Sequence, residues 1–245
     1  MDIRKGKPLN NPFHYGAQIL KVALLGAIVL SILFALNQIK FANYFPIKTV
    51  RVYGMNRTDR QEIQELLTPL VNRGFFTVNI EYIHDRLQQM PWISKLSVRR
   101  IWPDQIEVTV VEKNAVARWN QTSLLSEGGE IFSPKQETYP LNLPLLVGPD
   151  GQQMVMLEYL TQINKLLAPL HSKVSYLELT PFFTWKLTLN NGITLQVGHK
   201  DILTRLDHFV KVYPKIVGNR ASDVEYIDLR YPNGMAVRWR AIFKT

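Results

Sequence analysis

The chain has 245 residues, a length that allows one or two ordinary domains and excludes a large multidomain machine. Hydrophobic residues make up 46% of it, with 14 Pro and 13 Gly, which is typical of a globular protein and excludes collagen, simple repeats and a wholly disordered chain. There is no Cys, so disulfide scaffolds, thiolate metal sites, iron–sulfur clusters and cysteine nucleophiles are excluded.

The net charge of +9 is unevenly distributed along the chain. Residues 1–51 contain seven Lys or Arg and one acidic residue, whereas residues 52–245 contain 22 basic and 19 acidic residues. A nucleic-acid-binding domain concentrates positive charge on its own folded surface, but here the excess flanks one hydrophobic stretch. The distribution therefore favours a membrane, and not a nucleic acid, as the partner of the basic residues.

The hydrophobic stretch runs without a charge from Val22 to Leu36. With its neighbours it gives a span of about 20 residues, enough for a hydrocarbon core of roughly 30 Å. We predict a cytoplasmic tail at 1–18, a transmembrane helix at 19–39 and a linker at 40–46. The excess of basic residues before the helix places the rest of the chain outside the cytoplasm. A cleavable signal peptide is the competing interpretation, although no small-x-small cleavage site follows the stretch.

Residues 47–115 change from alternating to helical spacing and back. The alternation at 50–52 predicts a half-buried strand, and Thr58 with Gln61 has the form of a capping box that begins a helix. Asn79 is placed to cap a second helix, and two further alternating runs follow it. The predicted order of elements is β-α-α-β-β.

Residues 116–245 contain short apolar runs separated by turn signals, with two amphipathic helices among them. The Asn-Gly pair at 191–192 lies between two alternating runs and is a strong hairpin signal. A turn at 232–234 precedes a last strand that includes Trp239. We predict a mainly antiparallel β domain with two helices on one face, so that the fold class of the whole chain is α+β.

Several motifs in these two regions have specific residue types and spacing. In chain order they are Pro91-Trp92-Ile93, Val98–Asp104, Val108–Glu112, Ala117-Arg118-Trp119, Trp185–Leu189, Asn191-Gly192-Ile193, Arg205–Phe209, Tyr226–Tyr231 and Gly234–Trp239. Together they resemble the FtsQ/DivIB family of bacterial cell division proteins, in which the first region is a POTRA domain. The departures from the family pattern are Ile93, Ile106 and the pair Asp207-His208.

The resemblance implies a single-pass protein of the bacterial cell inner membrane, located at the division septum, with a cytoplasmic N-terminus and its bulk in the periplasm. It implies an essential scaffold that links cytoplasmic and periplasmic division proteins by binding FtsB and, through it, FtsL. The domains implied are a POTRA domain at 47–115, which would bind other divisome proteins, and a C-terminal β domain at 116–245.

The partner-binding positions lie in and just before the last strand. A strand that follows a tight turn at a chain end is often at a sheet edge, where unpaired backbone groups can accept a strand from another chain. By position, the family resemblance implies the candidate binding residues Tyr231, Gly234, Ala236, Val237, Arg238 and Trp239. A core position in the last strand is an equally good interpretation of Trp239.

The other notable residues have simpler interpretations. Trp92 and Trp102 are expected to pack in a core or hairpin, and the pair Arg99-Arg100 is expected to be solvated. The chain contains no catalytic motif, phosphate loop or dinucleotide fingerprint, and its five His residues are far apart. We predict a protein that is not an enzyme, with no catalytic, cofactor-binding or metal-binding residues, no small-molecule substrate and no nucleic-acid partner.

Two alternative functions belong to other classes. A POTRA-containing outer-membrane assembly or secretion factor requires repeated POTRA units or a barrel of many strands, for which too few residues follow the first domain. A membrane-anchored envelope hydrolase requires a clustered catalytic set, which the sequence does not display.

Overall fold

The computed structural model describes four stretches of the chain, 12–38, 45–71, 74–231 and 234–240. Parts of every predicted segment lie outside these stretches: the tail before residue 12, residue 39 of the transmembrane segment, the linker from 40 to 44, residues 72–73 of the POTRA domain, and residues 232–233 and 241–245 of the C-terminal domain.

The N-terminal hydrophobic stretch is helical. Helix α1 covers Pro12–Gln38, so it begins before the predicted transmembrane segment, and its apolar side chains from Leu20 to Phe34 are exposed. Within the described residues, however, no helix combines the length and the apolar character needed to cross a membrane. The predicted transmembrane helix at 19–39 is therefore not confirmed.

The first folded region has the predicted β-α-α-β-β order. Its elements are β1 (Thr49–Tyr53), α2 (Arg60–Val71), α3 (Ile80–Gln88), β2 (Ile93–Ile101) and β3 (Gln105–Glu112). The strands form a sheet in the order β1-β3-β2, in which β1 is parallel and β2 antiparallel to β3. The core under the helices consists of Ile63, Leu67, Val78, Ile83, Leu87, Met90, Ile93, Ile106, Val108 and Val110.

One of the two predicted helix caps in this region is correct. The side chain of Asn79 accepts a hydrogen bond of 2.9 Å from the backbone N–H of Tyr82, as expected. At α2 the cap is Asp59 instead of Thr58, because the Asp59 carboxylate accepts a 2.8 Å bond from the Gln61 N–H. The Thr58 hydroxyl does not cap the helix, because it donates a hydrogen bond to a residue outside α2.

That residue is Glu112, at the end of β3. Its carboxylate accepts hydrogen bonds from the Thr58 hydroxyl at 2.6 Å, the Thr58 N–H at 2.8 Å and the Arg57 N–H at 3.0 Å. Burial alone would raise the pKa of Glu112, but these bonds, with one from the Asn56 backbone, hold it below its usual value. The ionised carboxylate therefore joins the segment before α2 to the last residue of β3.

The second region is a nine-stranded mixed sheet with two helices. Its strands are β4 (Ala115–Trp119), β5 (Ser123–Ser126), β6 (Ile131–Phe132), β7 (Leu145–Val147), β8 (Val174–Leu179), β9 (Trp185–Leu189), β10 (Thr194–Gly198), β11 (Val224–Asp228) and β12 (Ala236–Trp239). The spatial order is β12-β11-β10-β9-β8-β7-β4-β5-β6.

Most neighbouring strands are antiparallel, as predicted, including the β9–β10 hairpin around the Asn-Gly turn. The pairs β4–β7, β7–β8 and β10–β11 are parallel, so the sheet is mixed. Each parallel pair is joined through a connection longer than a hairpin turn, because parallel neighbours require a crossover.

Helices α4 (Gln153–Leu167) and α5 (Ile202–Ile216) contact each other and pack on the sheet. They contribute Met156, Leu160, Ile163 and Leu167, and Ile202, Leu206 and Phe209, to a single core with the inner residues of the strands. This core fixes β10 and β11, and through them the position of the terminal strand.

Trp92 joins the two folded regions. It is 4% exposed and lies in a small cluster with Leu124 and Phe132, with ring centroids 5.2 Å apart in the edge-to-face pair with Phe132. Its Nε1–H donates a 2.8 Å hydrogen bond to the Thr138 hydroxyl. The prediction that Trp92 packs in a core is confirmed, but the core is the junction between the two regions.

Polar contacts close the same junction. Arg57 donates a 3.3 Å hydrogen bond to the Thr138 carbonyl oxygen, and Lys135 forms a 3.2 Å ion pair with Glu62. The connection from β3 to β4 consists only of residues 113–114. The two regions are therefore held by side-chain packing as well as by a short covalent link.

Trp102 differs from its prediction. It lies between β2 and β3 and is 70% exposed, so it does not pack. The preceding pair, Arg99-Arg100, was expected to be solvated, but both side chains donate hydrogen bonds within the protein. Arg99 donates a 2.7 Å bond from Nε to Glu107, and Arg100 donates one of 2.6 Å to the Val78 carbonyl oxygen.

Candidate partner-binding edge

Strand β12 is the last strand at one end of the nine-stranded sheet. It pairs antiparallel with β11, with Asp228 opposite Ala236, Ile227 opposite Val237 and Tyr226 opposite Arg238. On its other side, no strand of the described part of the chain pairs with it. The predicted edge position is therefore correct, and an outer row of backbone N–H and C=O groups faces away from the sheet.

The side chains of β12 alternate in exposure over most of its length. Met235 and Val237 pack against the core of the sheet, whereas Ala236 and Arg238 are exposed. Gly234 precedes the strand, and a Cβ at that position would meet no described atom within 4 Å. The inward residues hold β12 in place while its outer edge stays accessible.

Trp239 is exposed to 36% and does not join the core. The Arg220 guanidinium lies over its indole, 4.0 Å from the ring centroid, in cation–π geometry. The strand register is irregular between Val224 and Tyr226, opposite this end of β12. Of the two interpretations of Trp239, the core position is wrong.

Arg238 is held beside the strand by an ion pair. Its Nε lies 3.0 Å from Glu225 Oε2, and its guanidinium is 5.8 Å from the Tyr226 ring centroid. Arg220 in turn pairs with Asp223 at 3.7 Å. Both arginines are thereby oriented, with most of each side chain in contact with solvent.

A second arginine–carboxylate pair fixes the exit from β11. Arg230 donates to both carboxylate oxygens of Asp228, at 2.9 Å from Nε and 2.7 Å from Nη2. The hydrogen bonds from Arg230 lower the pKa of the buried Asp228 carboxyl against the opposing effect of burial. Tyr231 follows immediately and is 57% exposed. The pair therefore orients the chain where the first predicted binding residue lies.

A glycine makes room for this pair. Gly198 has a φ of +92°, and a Cβ there would lie 3.0 Å from Arg205 Nη1 and 3.3 Å from Arg230 Cγ. Arg205 donates a 2.8 Å bond to the Val197 carbonyl oxygen. The positive φ favours glycine at this position, and a Cβ there would also press on both arginine side chains.

The structure brings together the predicted residues that surround β12, and it adds others. Four residues position the edge but were not among the predicted binding residues: Arg220, Glu225, Asp228 and Arg230. For Asp228 and Arg230 a signal existed, because the Asp-x-Arg spacing places both side chains on one side of an extended chain. Arg220 is distant in sequence from Trp239, so local patterning could not identify it.

The described residues also define what the edge does not hold. Among them, no group of three or more His, Asp or Glu side chains is arranged as a metal site. The edge presents aromatic and basic side chains together with unpaired backbone groups, and all of these suit contacts with another polypeptide.

Comparison with known families matches both regions. A family model described as "POTRA domain, FtsQ-type" matches residues 45–113, and one described as "Cell division protein FtsQ/DivIB, C-terminal" matches residues 117–230.

Curated relatives extend the similarity over most of the chain. A cell division protein FtsQ from Coxiella burnetii is 40% identical over 179 residues, which cover 73% of this chain and 74% of the relative. The FtsQ of Shewanella oneidensis is 35% identical over 199 residues, covering 81% and 76%. The FtsQ of Escherichia coli is 30% identical over 237 residues, covering 94% and 86%.

Proposed function

The chain belongs to the FtsQ/DivIB family of cell division proteins, and we propose that it is a division scaffold that binds the FtsB/FtsL subcomplex and helps control divisome assembly at the septum. Its role lies in cell division. On this proposal the protein is a binding protein and not an enzyme. The observation that carries the proposal is the open outer edge of β12, which includes positions that the family resemblance predicts to bind the partner.

The binding mode we propose is strand addition. An extended segment of FtsB would pair with the outer N–H and C=O groups of β12, so that main-chain hydrogen bonds supply affinity. Tyr231, Ala236, Arg238 and Trp239 are accessible beside that edge and would contact alternate side chains of the added strand. Val237 would act indirectly, because it packs inward and holds β12 on β11.

The direct test measures binding of the purified chain to the periplasmic segments of FtsB and FtsL, with a variant that ends at Tyr231 beside the intact protein. The proposal expects binding by the intact chain and none by the shortened one. Because Met235 and Val237 pack on the core, thermal unfolding of the shortened variant must first establish that the sheet is retained. Equal binding by a folded shortened variant would place the partner site elsewhere.

Attachment to the cell inner membrane is part of the same proposal, with the N-terminus in the cytoplasm and both folded regions in the periplasm. Its support is the exposed apolar surface of α1 between Leu20 and Phe34 and the excess of basic residues before it. Protease added to intact cells and then to spheroplasts tests this topology. Digestion of the folded regions only in spheroplasts is expected, and protection in both samples would contradict it.

We also propose that the POTRA domain binds other divisome proteins. This second surface would allow one chain to hold FtsB/FtsL at its C-terminal edge while a different partner occupies the other sheet.

A further inference from the structure

We propose that the free edge of β1 is a second strand-addition site, which takes an extended segment with alternating apolar and acidic side chains from a partner protein. The inference rests on the proposed function, because it gives a surface and a ligand chemistry to the POTRA domain's binding of other divisome proteins. It concerns a different sheet from the one that contains β12.

The first observation is that β1 is an edge strand. It pairs in parallel with β3 from Thr49 to Tyr53, and within the described ranges no strand lies on its other side. It ends at Tyr53 and is followed by Gly54, whose φ is +84° and where a Cβ would collide with the Val110 carbonyl oxygen. The outward N–H and C=O groups of β1 are available to an additional strand.

The second observation is an apolar groove beside that edge. Helix α3 packs directly against β2, the strand at the other edge of the sheet. By contrast, a cavity of about 440 Å³ lies between α2 and β1. Its apolar lining consists of Val50, Val52, Met55, Ile63, Leu67 and Val71, and its polar lining of Arg60, Gln64 and Thr68. Successive side chains of a strand point to opposite faces, so every second side chain of an added strand would enter this groove.

The third observation is a row of charges across the opposite face of the sheet. Arg99 on β2 lies directly across from Glu107 on β3 and is ion-paired with it, and Glu107 lies in register with Arg51 on β1. The row therefore reads positive, negative, positive toward the free edge. Opposite charges on adjacent strands stabilise pairing, so the next strand is expected to place a carboxylate beside Arg51.

The basic residues at this site are not neutralised by the described part of the chain. Neither Arg51 nor Arg60 belongs to any ion pair there, whereas nearby Lys48 pairs with Asp104 at 3.2 Å. Arg51 flanks the edge on the open face, and Arg60 lies at the groove. An occupant with carboxylates on the face of Arg51 and apolar side chains on the other face matches the charge of Arg51 and the apolar lining of the groove.

The test uses the full chain and two short fluorescent peptides of equal length, one in which Val and Glu alternate and one in which Val and Lys alternate. Fluorescence anisotropy is expected to detect binding of the Val/Glu peptide, weakening as salt is added, and no binding of the Val/Lys peptide. Absence of Val/Glu binding, or equal binding of both peptides, overturns the inference.

Substitutions assign the binding to β1. Arg51→Glu should weaken the Val/Glu peptide at least about tenfold and confer binding of the Val/Lys peptide, whereas Arg51→Lys should keep the original preference. Thr68→Trp should fill the groove and abolish binding, and Gln61→Trp adds the same indole on α2 outside the groove lining and should not. Val/Glu binding that survives both Arg51→Glu and Thr68→Trp overturns the assignment.

The experiments can refute the β1 proposal and the β12 proposal independently of each other. Arg51→Glu and Thr68→Trp should leave FtsB/FtsL binding unchanged, and loss of the C-terminal edge should leave peptide binding at β1 unchanged. If peptide binding follows the β1 variants while FtsB/FtsL does not bind at all, the β12 proposal fails and the β1 site stands. If the β1 variants abolish FtsB/FtsL binding instead, the separate site at β1 is wrong.

Discussion

Two tryptophans mark regions of this molecule with opposite properties. Trp92 lies in the junction between the POTRA domain and the nine-stranded sheet, where it is covered by Phe132 and hydrogen-bonded to Thr138. Trp239 lies at the free end of that sheet, where one guanidinium lies over its ring and 36% of it is exposed. At the junction, the aromatic ring and its N–H group already have partners within the chain. At the terminal edge, the outer backbone groups of β12 pair with no strand of the described chain and are accessible to a partner.

The difference follows from what each surface has to contact. At the junction, partners come from the same chain and were brought together by folding, so burial of Trp92 contributes to stability. At β12, the inner side chains supply stability and the outer backbone groups have no partner in the described chain. Substitutions in the two regions should therefore affect different measurements.

The largest effect is expected for Trp92→Ala. Removal of the buried indole leaves a cavity and removes its hydrogen bond to Thr138, so we expect the free energy of unfolding to fall by about 3–5 kcal/mol. Denaturant unfolding measures this change. Trp102→Ala is the matched control, because that indole is exposed, and it should change stability by less than about 0.5 kcal/mol. Equal effects of the two substitutions would contradict the assignment of Trp92 to the junction.

A smaller effect, on binding alone, is expected for Trp239→Ala. Loss of an accessible aromatic side chain at an interface should weaken FtsB/FtsL binding by about tenfold or more, measured by calorimetric titration. Stability should change little, because Trp239 is outside the core. Trp102→Ala again provides the control, with unchanged affinity. A Trp239→Ala protein that unfolds more easily but binds normally would reverse the comparison.

Glu112→Gln should lower the free energy of unfolding because it removes the negative charge that the Thr58 and Arg57 groups contact. The neutral amide can still accept a hydrogen bond from Thr58, but hydrogen bonds to a neutral acceptor are weaker than those to a carboxylate. Because this carboxyl is partly exposed, we expect the free energy of unfolding to fall by only about 1 kcal/mol near neutral pH. Denaturant unfolding detects it.

The pH dependence gives the sign of this effect. Because the pKa of Glu112 is lower in the folded chain than its ordinary value of 4.5, its contribution is fully present above that value and is lost as the pH falls through the folded pKa. The advantage of the natural protein over Glu112→Gln should shrink on acidification below about pH 4.5. A difference that stays constant with pH would show that the charge has no role.

The smallest effect is expected for Lys135→Ala. The Lys135–Glu62 ion pair crosses the junction, but both side chains are largely exposed and screened by solvent. Neither the unfolding free energy nor FtsB/FtsL binding should change measurably. A clear loss of stability would mean that charges, more than Trp92, hold the two regions together.

Local patterns predicted much of this architecture. The β-α-α-β-β order, the Asn79 cap, the Asn-Gly hairpin and the edge position of the last strand all depend on residues close together in sequence, where periodicity and turn chemistry are informative. The predicted cap at Thr58 was wrong because Glu112, far along the chain, takes its hydroxyl.

The remaining features depend on contacts between distant segments. Nothing near Trp92 indicates that it packs against Phe132, and nothing near Trp102 indicates that it stays exposed. The parallel pairing of β10 with β11 also requires a crossover whose partner cannot be chosen from alternation alone. The partner positions were placed by family resemblance, whereas Arg220 and Glu225 emerged only from the assembled edge.

Hydrogen exchange of the full chain, alone and with the periplasmic segments of FtsB and FtsL, tests the central claim most directly. If a partner strand adds to β12, amides of residues 236–239 that face away from β11 should exchange quickly in the free protein and become strongly protected in the complex. Protection confined to other surfaces, with β12 exchanging equally fast in the complex, would contradict strand addition at this edge.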